Sequence, residues 1–179
     1  NAVIRFGLER QNNPKSVFSI GLLTILGGFL VVLLLSPIIN SLGFLDGYSY
    51  LVFIYVFTSS IHNLCAQFCR SRGYVKLYAI DGIFNTCLTI FFNIMFLAVF
   101  HLGIVGYVLA TILSDFIQSM FLIYIASLWK FFSLKAVKKT MARNMLKYSV
   151  PLIPTTICTW IVNISDRYMI AFLLGNSVN

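Results

Sequence analysis

His62, Asp81, Asp115, Asp166 and Arg167 interrupt stretches otherwise built mainly of Leu, Ile, Val and Phe. A charge at the middle of a bilayer costs roughly 3 kcal/mol or more, so residues of this kind pair with one another or line a pathway. Asp166 and Arg167 are neighbours in sequence and would point about 100° apart on a helix, a poor geometry for pairing with each other. Two chemistries are open to Arg167. It can pair with an acid on another helix, for which Asp115 is the obvious candidate. It can instead grip a phosphate or an acidic sugar, to which a planar guanidinium is well matched. A lone intramembrane imidazole is compatible with proton handling, yet neither His62 nor His101 has a carboxylate nearby in sequence with which to build a dyad.

The polar residues around these groups recur at helical spacing. Asp81, Asn85, Thr89 and Asn93 fall every fourth residue. Thr111, Ser114, Asp115 and Gln118 form a second series, and Thr156, Thr159, Asn163 and Asp166 a third, with Arg167 at its edge. Ser59, Asn63, Gln67 and Arg70 form a fourth. Residues three or four apart share one helix face. Each unpaired polar group in hydrocarbon costs several kcal/mol, so these stripes are expected to turn away from lipid. For Ser and Thr taken singly, ordinary helix packing is explanation enough. Stripes that carry Asp81, Asn85, Asp115, Asn163, Asp166 and Arg167 point to a shared polar lumen.

No phosphate-cradling glycine loop, zinc-protease, nucleophile-elbow or kinase signature occurs, so no enzyme and no cofactor is expected. Cys65 and Cys69 lie one helical turn apart, but no further Cys or His pair completes a zinc pattern. Cys65, Cys69, Cys87 and Cys158 read as thiols within apolar stretches, with no metal and no structural disulfide implied.

The elements that must position these residues follow from composition. Only 10% of the residues are charged and 59% are hydrophobic. A water-soluble domain carries about a quarter charged residues, so the solvent of this chain is a bilayer. Five apolar segments are each about the ~20 residues a spanning helix needs: 17–40, 48–68, 77–100, 104–128 and 149–174. They are too long and too continuous to be the alternating strands of a barrel. Within hydrocarbon one isolated run satisfies its backbone only as a helix. The expected fold is an all-α polytopic transmembrane helix bundle.

The net charge of +8 would suit nucleic acid, but its distribution argues otherwise. Arg5, Arg10 and Lys15 precede the first span. Arg70, Arg72 and Lys76 join the second to the third. Lys130, Lys135, Lys138, Lys139, Arg143 and Lys147 join the fourth to the fifth. Twelve of the 13 basic residues therefore fall on alternate connections. That is the signature of cytoplasmic loops in a multi-pass membrane protein. The segment from Trp129 to Lys147 is either a plain basic linker or an interfacial helix on anionic lipid. The chain opens on Asn1 and is read as an internal piece of a longer protein. Residues 1–128 then form part of one lobe with four spans, 129–148 a basic cytoplasmic linker, and 149–179 the first span of a second lobe.

One stretch is more specific. Leu146, Lys147, Tyr148, Ser149, Val150, Pro151, Leu152, Ile153 and Pro154 are followed by Trp160, Asn163, Ser165, Asp166, Arg167 and Tyr168, then by Phe172, Leu173, Leu174 and Gly175. This resembles the opening of the second half of Wzx-type polysaccharide flippases, within the multidrug/oligosaccharidyl-lipid/polysaccharide exporter superfamily. Ala2 to Phe6 resembles the stretch before that family's third helix. The resemblance implies that the five spans correspond to helices three to seven of a two-lobed exporter. It implies a bacterial inner-membrane protein that flips undecaprenyl-pyrophosphate-linked oligosaccharide by alternating access, for O-antigen or capsule synthesis. The implied partners are the lipid bilayer, the lipid-linked oligosaccharide and H+ or Na+, with no nucleic acid. Of the site residues only Asp166 and Arg167 match a family motif. A cation-coupled multidrug exporter of the same superfamily and a membrane glycan polymerase or acyltransferase are the alternatives.

Overall fold

The computed structural model describes residues 2–9, 12–41, 48–133 and 136–174, with side chains for all of these except 38–41, 166–168 and 170–174. Among them no strand occurs. A short helix α1 (Ala2–Leu8) precedes α2 (Pro14–Ser41), α3 (Ser49–Ser71) and α4 (Val75–Asn93). The last of these runs directly into a π-helical segment, Ile94–Val99. Then come α5 (Gly103–Ile125), a 3-10 turn (Leu128–Phe131), α6 (Lys139–Ser149) and α7 (Leu152–Leu174). Among the described residues five helices are long and apolar enough to cross a membrane. The protein is an all-α, multi-span helical fold, as composition and segment length require.

The helix starts obey local rules. Asn13 caps α2, its Oδ1 accepting the Lys15 N–H at 3.0 Å. Pro14 occupies the first helical position, where its missing N–H costs nothing. Pro154 likewise falls in the first turn of α7 rather than deeper in it. Between α3 and α4 the chain reverses in three residues. Gly73 adopts a φ of +82°, a left-handed conformation that a Cβ disfavours, and its N–H bonds the Arg70 carbonyl at 3.1 Å.

The chain divides into two units, residues 3–138 and 139–179. In the first, α3 packs against α2, α4 and α5, and α4 packs along α5. One end of this bundle is held by an apolar cluster that includes Phe18, Leu64, Cys65, Phe68, Cys69, Leu122 and Leu128. The ring of Phe68, fully buried, lies 4.9 Å from that of Phe18 and 5.3 Å from that of Phe131. Two buried serines of α2 tie the segment after α5 back onto this end. Ser19 Oγ accepts the Ser133 N–H at 2.9 Å, and Ser16 donates to the Ala136 carbonyl.

The opposite faces of the helices are apolar and exposed. They carry Leu23, Leu26, Leu30 and Leu34 on α2, and Ile80, Ile83, Ile90 and Phe91 on α4. In water such faces would demand cover; in a bilayer lipid covers them. In the second unit α6 carries Lys139, Arg143 and Lys147 at intervals of four, one basic face of a short amphipathic helix. The turn at Val150 and Pro151 then leads into α7, with the Ile153 N–H bonding the Val150 carbonyl at 3.1 Å.

Phe68 and Phe91 make a matched test of this arrangement. Phe68→Ala empties the middle of the cluster and should lower unfolding stability by on the order of 3 kcal/mol. Phe91→Ala removes only a lipid-facing ring and should leave the thermal midpoint in detergent nearly unchanged. Equal midpoints for the two variants would contradict the assigned packing.

Candidate functional site

The polar stripes of α3, α4 and α5 meet. Helical spacing places Ser59, His62, Asn63 and Gln67 on one face of α3, and Asp81, Asn85 and Thr89 on one face of α4. With Thr111 and Asp115 of α5 they line a cavity of about 680 Å³ within the first unit. Amide, hydroxyl, imidazole and carboxylate groups share its lining with apolar surface from residues such as Ala66, Ala79 and Ile83.

At the centre stands His62. Its Nε2 lies 3.1 Å from Asp81 Oδ2, a hydrogen bond in which the ring N–H donates to the carboxylate. Its Nδ1 lies 3.5 Å from Asp115 Oδ1, at the long limit for direct contact. One imidazole thus bridges carboxylates from two other helices. All three side chains are largely shielded, His62 at 12% exposure, Asp81 at 4% and Asp115 at 6%. Ser59 lines the same cavity as Asp115. The second oxygen of Asp81 has no hydrogen-bond partner among the described residues, so this buried carboxylate has unused acceptor capacity in the cavity wall.

A second layer of contacts lies one turn along α4. Asn85 Oδ1 accepts from Thr89 Oγ1 at 3.1 Å and from Ser114 Oγ at 3.2 Å, and the two hydroxyls are 3.0 Å apart. This triangle fastens α4 to α5 beside the His62 bridge. On α3, Gln67 Nε2 donates to Asn63 Oδ1 at 3.3 Å. Not every stripe residue belongs to the cavity. Gln118 is fully buried yet neither of its amide atoms has a partner among the described residues, and Asn93 Oδ1 is in the same condition.

Of the residues singled out from the sequence, Asp81, Asn85 and Asp115 come together here. Asn163 is exposed on α7, where Thr156 and Thr159 bond carbonyls four or fewer residues back, both at 2.9 Å. Asp166 and Arg167 lie on α7, but their side chains are outside those described, and with them the expected Arg167–Asp115 pair. The described ionic partner of Asp115 is His62. His62 itself went unrecognised as half of a dyad because its carboxylates are 19 and 53 positions away in sequence. The available signal was an imidazole inside an apolar run, on the same helix face as Ser59. The four cysteines are free, Cys65 and Cys69 buried and Cys87 and Cys158 exposed. Among the described residues no group of His, Cys, Asp or Glu could hold a metal ion.

No family model, curated protein or solved structure matches this chain.

The bridge should be measurable by a double-mutant cycle. His62→Ala leaves Asp81 buried without its partner and should cost about 3–5 kcal/mol of unfolding stability, the usual penalty for breaking a buried pair. Adding Asp81→Asn removes the stranded charge and should recover part of that loss. Additive effects in detergent unfolding would mean that the two groups do not interact.

Proposed function

We propose that this chain forms part of a transporter that carries the head group of a lipid-linked oligosaccharide across the bacterial inner membrane for polysaccharide synthesis. The observation that carries this reading is the open cavity where the polar faces of α3, α4 and α5 meet in an otherwise apolar bundle. A span that only anchors a protein needs no such lining, because every polar group in hydrocarbon must be compensated. At about 680 Å³ the cavity is of the size that holds small ligands, roughly 300–1,000 Å³.

The chemistry of the lining favours sugar over drug. Asn63, Gln67, Asn85, Thr89 and Thr111 supply neutral donors and acceptors suited to hydroxyl groups. An exporter of apolar drugs would be expected to line its site mainly with aromatic and aliphatic side chains. In this reading the isoprenoid tail stays in lipid against the apolar outer faces while the sugars traverse the polar seam. The Asp166–Arg167 pair of residues, matched to the flippase motif, contributes a cation for the pyrophosphate. Basic connections face the cytoplasm, following the alternation of Lys and Arg.

Three substitutions in the full protein test this. Asn85→Leu replaces a cavity amide by an apolar group. Arg167→Ala removes the proposed pyrophosphate contact. Each should slow the appearance of lipid-linked oligosaccharide in the outer leaflet at least about tenfold, the equivalent of roughly 1.4 kcal/mol. Cys87→Leu, on the exposed side of α4, should leave the rate alone. Undiminished flipping by both Asn85→Leu and Arg167→Ala, at normal membrane levels, would overturn the assignment.

A further inference from the structure

Binding of a sugar does not account for an imidazole held between two carboxylates. His62 meets Asp81 and Asp115 through different ring nitrogens. Each nitrogen–oxygen contact is attractive only with a hydrogen in it, because a ring lone pair facing a carboxylate lone pair repels. A neutral imidazole owns one N–H. Closing both contacts therefore takes one proton more than neutral His62 and two ionised carboxylates contain.

We propose that His62, Asp81 and Asp115 form a proton lock, in which one exchangeable proton between His62 Nδ1 and Asp115 Oδ1 holds α3 against α5. The Asp81 contact, at 3.1 Å, is an ordinary hydrogen bond and uses the ring's own N–H. The Asp115 contact, at 3.5 Å, is the looser one, and both of its residues line the cavity. A hydronium ion in the cavity gives its proton to this contact and becomes water. The cluster's charge goes from −2 to −1, which hydrocarbon favours. Return of the proton to water restores the lone-pair repulsion and drives α3 and α5 apart. Such an element has two packings selected by one ligand, which is what a two-state carrier needs.

The ligand is a proton rather than a metal ion. The two ring nitrogens point away from each other, so the carboxylates lie on opposite sides of the ring and do not converge on a common point. The remaining titratable groups near the cluster are few. On α3 the thiols of Cys65 and Cys69 lie toward Asp81. On α4 the Tyr78 phenol borders the cavity. The other titratable side chains of α5, Tyr107 and Tyr124, are exposed. On α2 the only titratable residue is Lys15, in its first turn.

The coupling role of this lock rests on the transporter reading; the lock itself does not. The test uses the full protein in lipid vesicles, with spin labels at the exposed positions Ile54 of α3 and Tyr107 of α5 in a background without reactive cysteines. The label separation should lengthen as pH is raised from about 5 to about 9. Asp115→Asn supplies an amide N–H to His62 Nδ1 and closes both contacts without an added proton. Asp81→Asn does the same with the ring nitrogens exchanged. Both variants should keep the acidic separation at every pH, whereas a merely structural cluster would be loosened by them. Nitrogen NMR of histidine-labelled protein reads the same event as loss of one His62 N–H at alkaline pH. A separation that ignores pH, or variants that still respond to it, overturn the lock. Flipping of lipid-linked oligosaccharide in the same vesicles divides the outcomes. Response without flipping upholds the lock and overturns the transporter. Flipping without response overturns the lock alone.

Discussion

Hydrocarbon offers no hydrogen bonds, and this structure is arranged around that fact. Each apolar run closes its backbone on itself as a helix. Many of its hydroxyls do the same on a smaller scale. Thr24, Thr58, Thr86 and Thr111 each donate to the carbonyl four residues back, at 2.8 to 3.1 Å. Such residues are neutralised locally and ask nothing of a neighbouring helix. The described hydrogen-bond and ionic contacts of the His62, Asp81, Ser114 and Asp115 side chains include groups of neighbouring helices. Meeting such groups across helices favours turning these faces of α3, α4 and α5 toward one another.

The two ends of the first unit divide the labour. Near the 3-10 turn, Phe18, Phe68 and Phe131 pack together, and Ser16 and Ser19 capture backbone groups of the following segment. With lipid on the outside there is little hydrophobic drive for helices to associate, so contacts of this close-packed kind hold the end together. Deeper in the bundle the packing gives way to polar contacts around a cavity. Asp81 and the hydrogen-bonded Asn63–Gln67 pair line this cavity, and Asp81 Oδ1 has no partner among the described residues. The transition from α4 into a π-helix at Ile94 comes directly after Asn93, whose side-chain oxygen is buried without a partner among the described residues.

Much of this was legible in the residues. Length and apolarity alone identify spanning helices, because the bilayer sets a minimum run and leaves no alternative backbone conformation. With the π-helical continuation to Val99 counted as part of α4, the expected boundaries lie within about three residues of those observed for α2 through α5, and the expected start of the fifth span at 149 gives way to a turn and a helix beginning at Leu152. Proline explains the shift: Pro151 ends one helix and Pro154 is accommodated only in the first turn of the next. The four-residue recurrence of Asp81, Asn85, Thr89 and Asn93 is a property of the helix itself; the first three line the cavity and Asn93 does not.

Partnership is a different matter, because it depends on which helices are adjacent and at what height. The sequence of α3 reveals a histidine in an apolar run and nothing of what it faces. Nothing in the sequence placed His62 beside Asp115, a neighbour that comes from the close packing of α3 on α5. The sequence by itself therefore determined the solvent, the helices and the face of each one that is polar, all consequences of hydrocarbon acting on single segments. Tertiary structure alone decided that three such faces converge on one imidazole, because the height at which helices pack is set by side-chain contacts spread along their whole length.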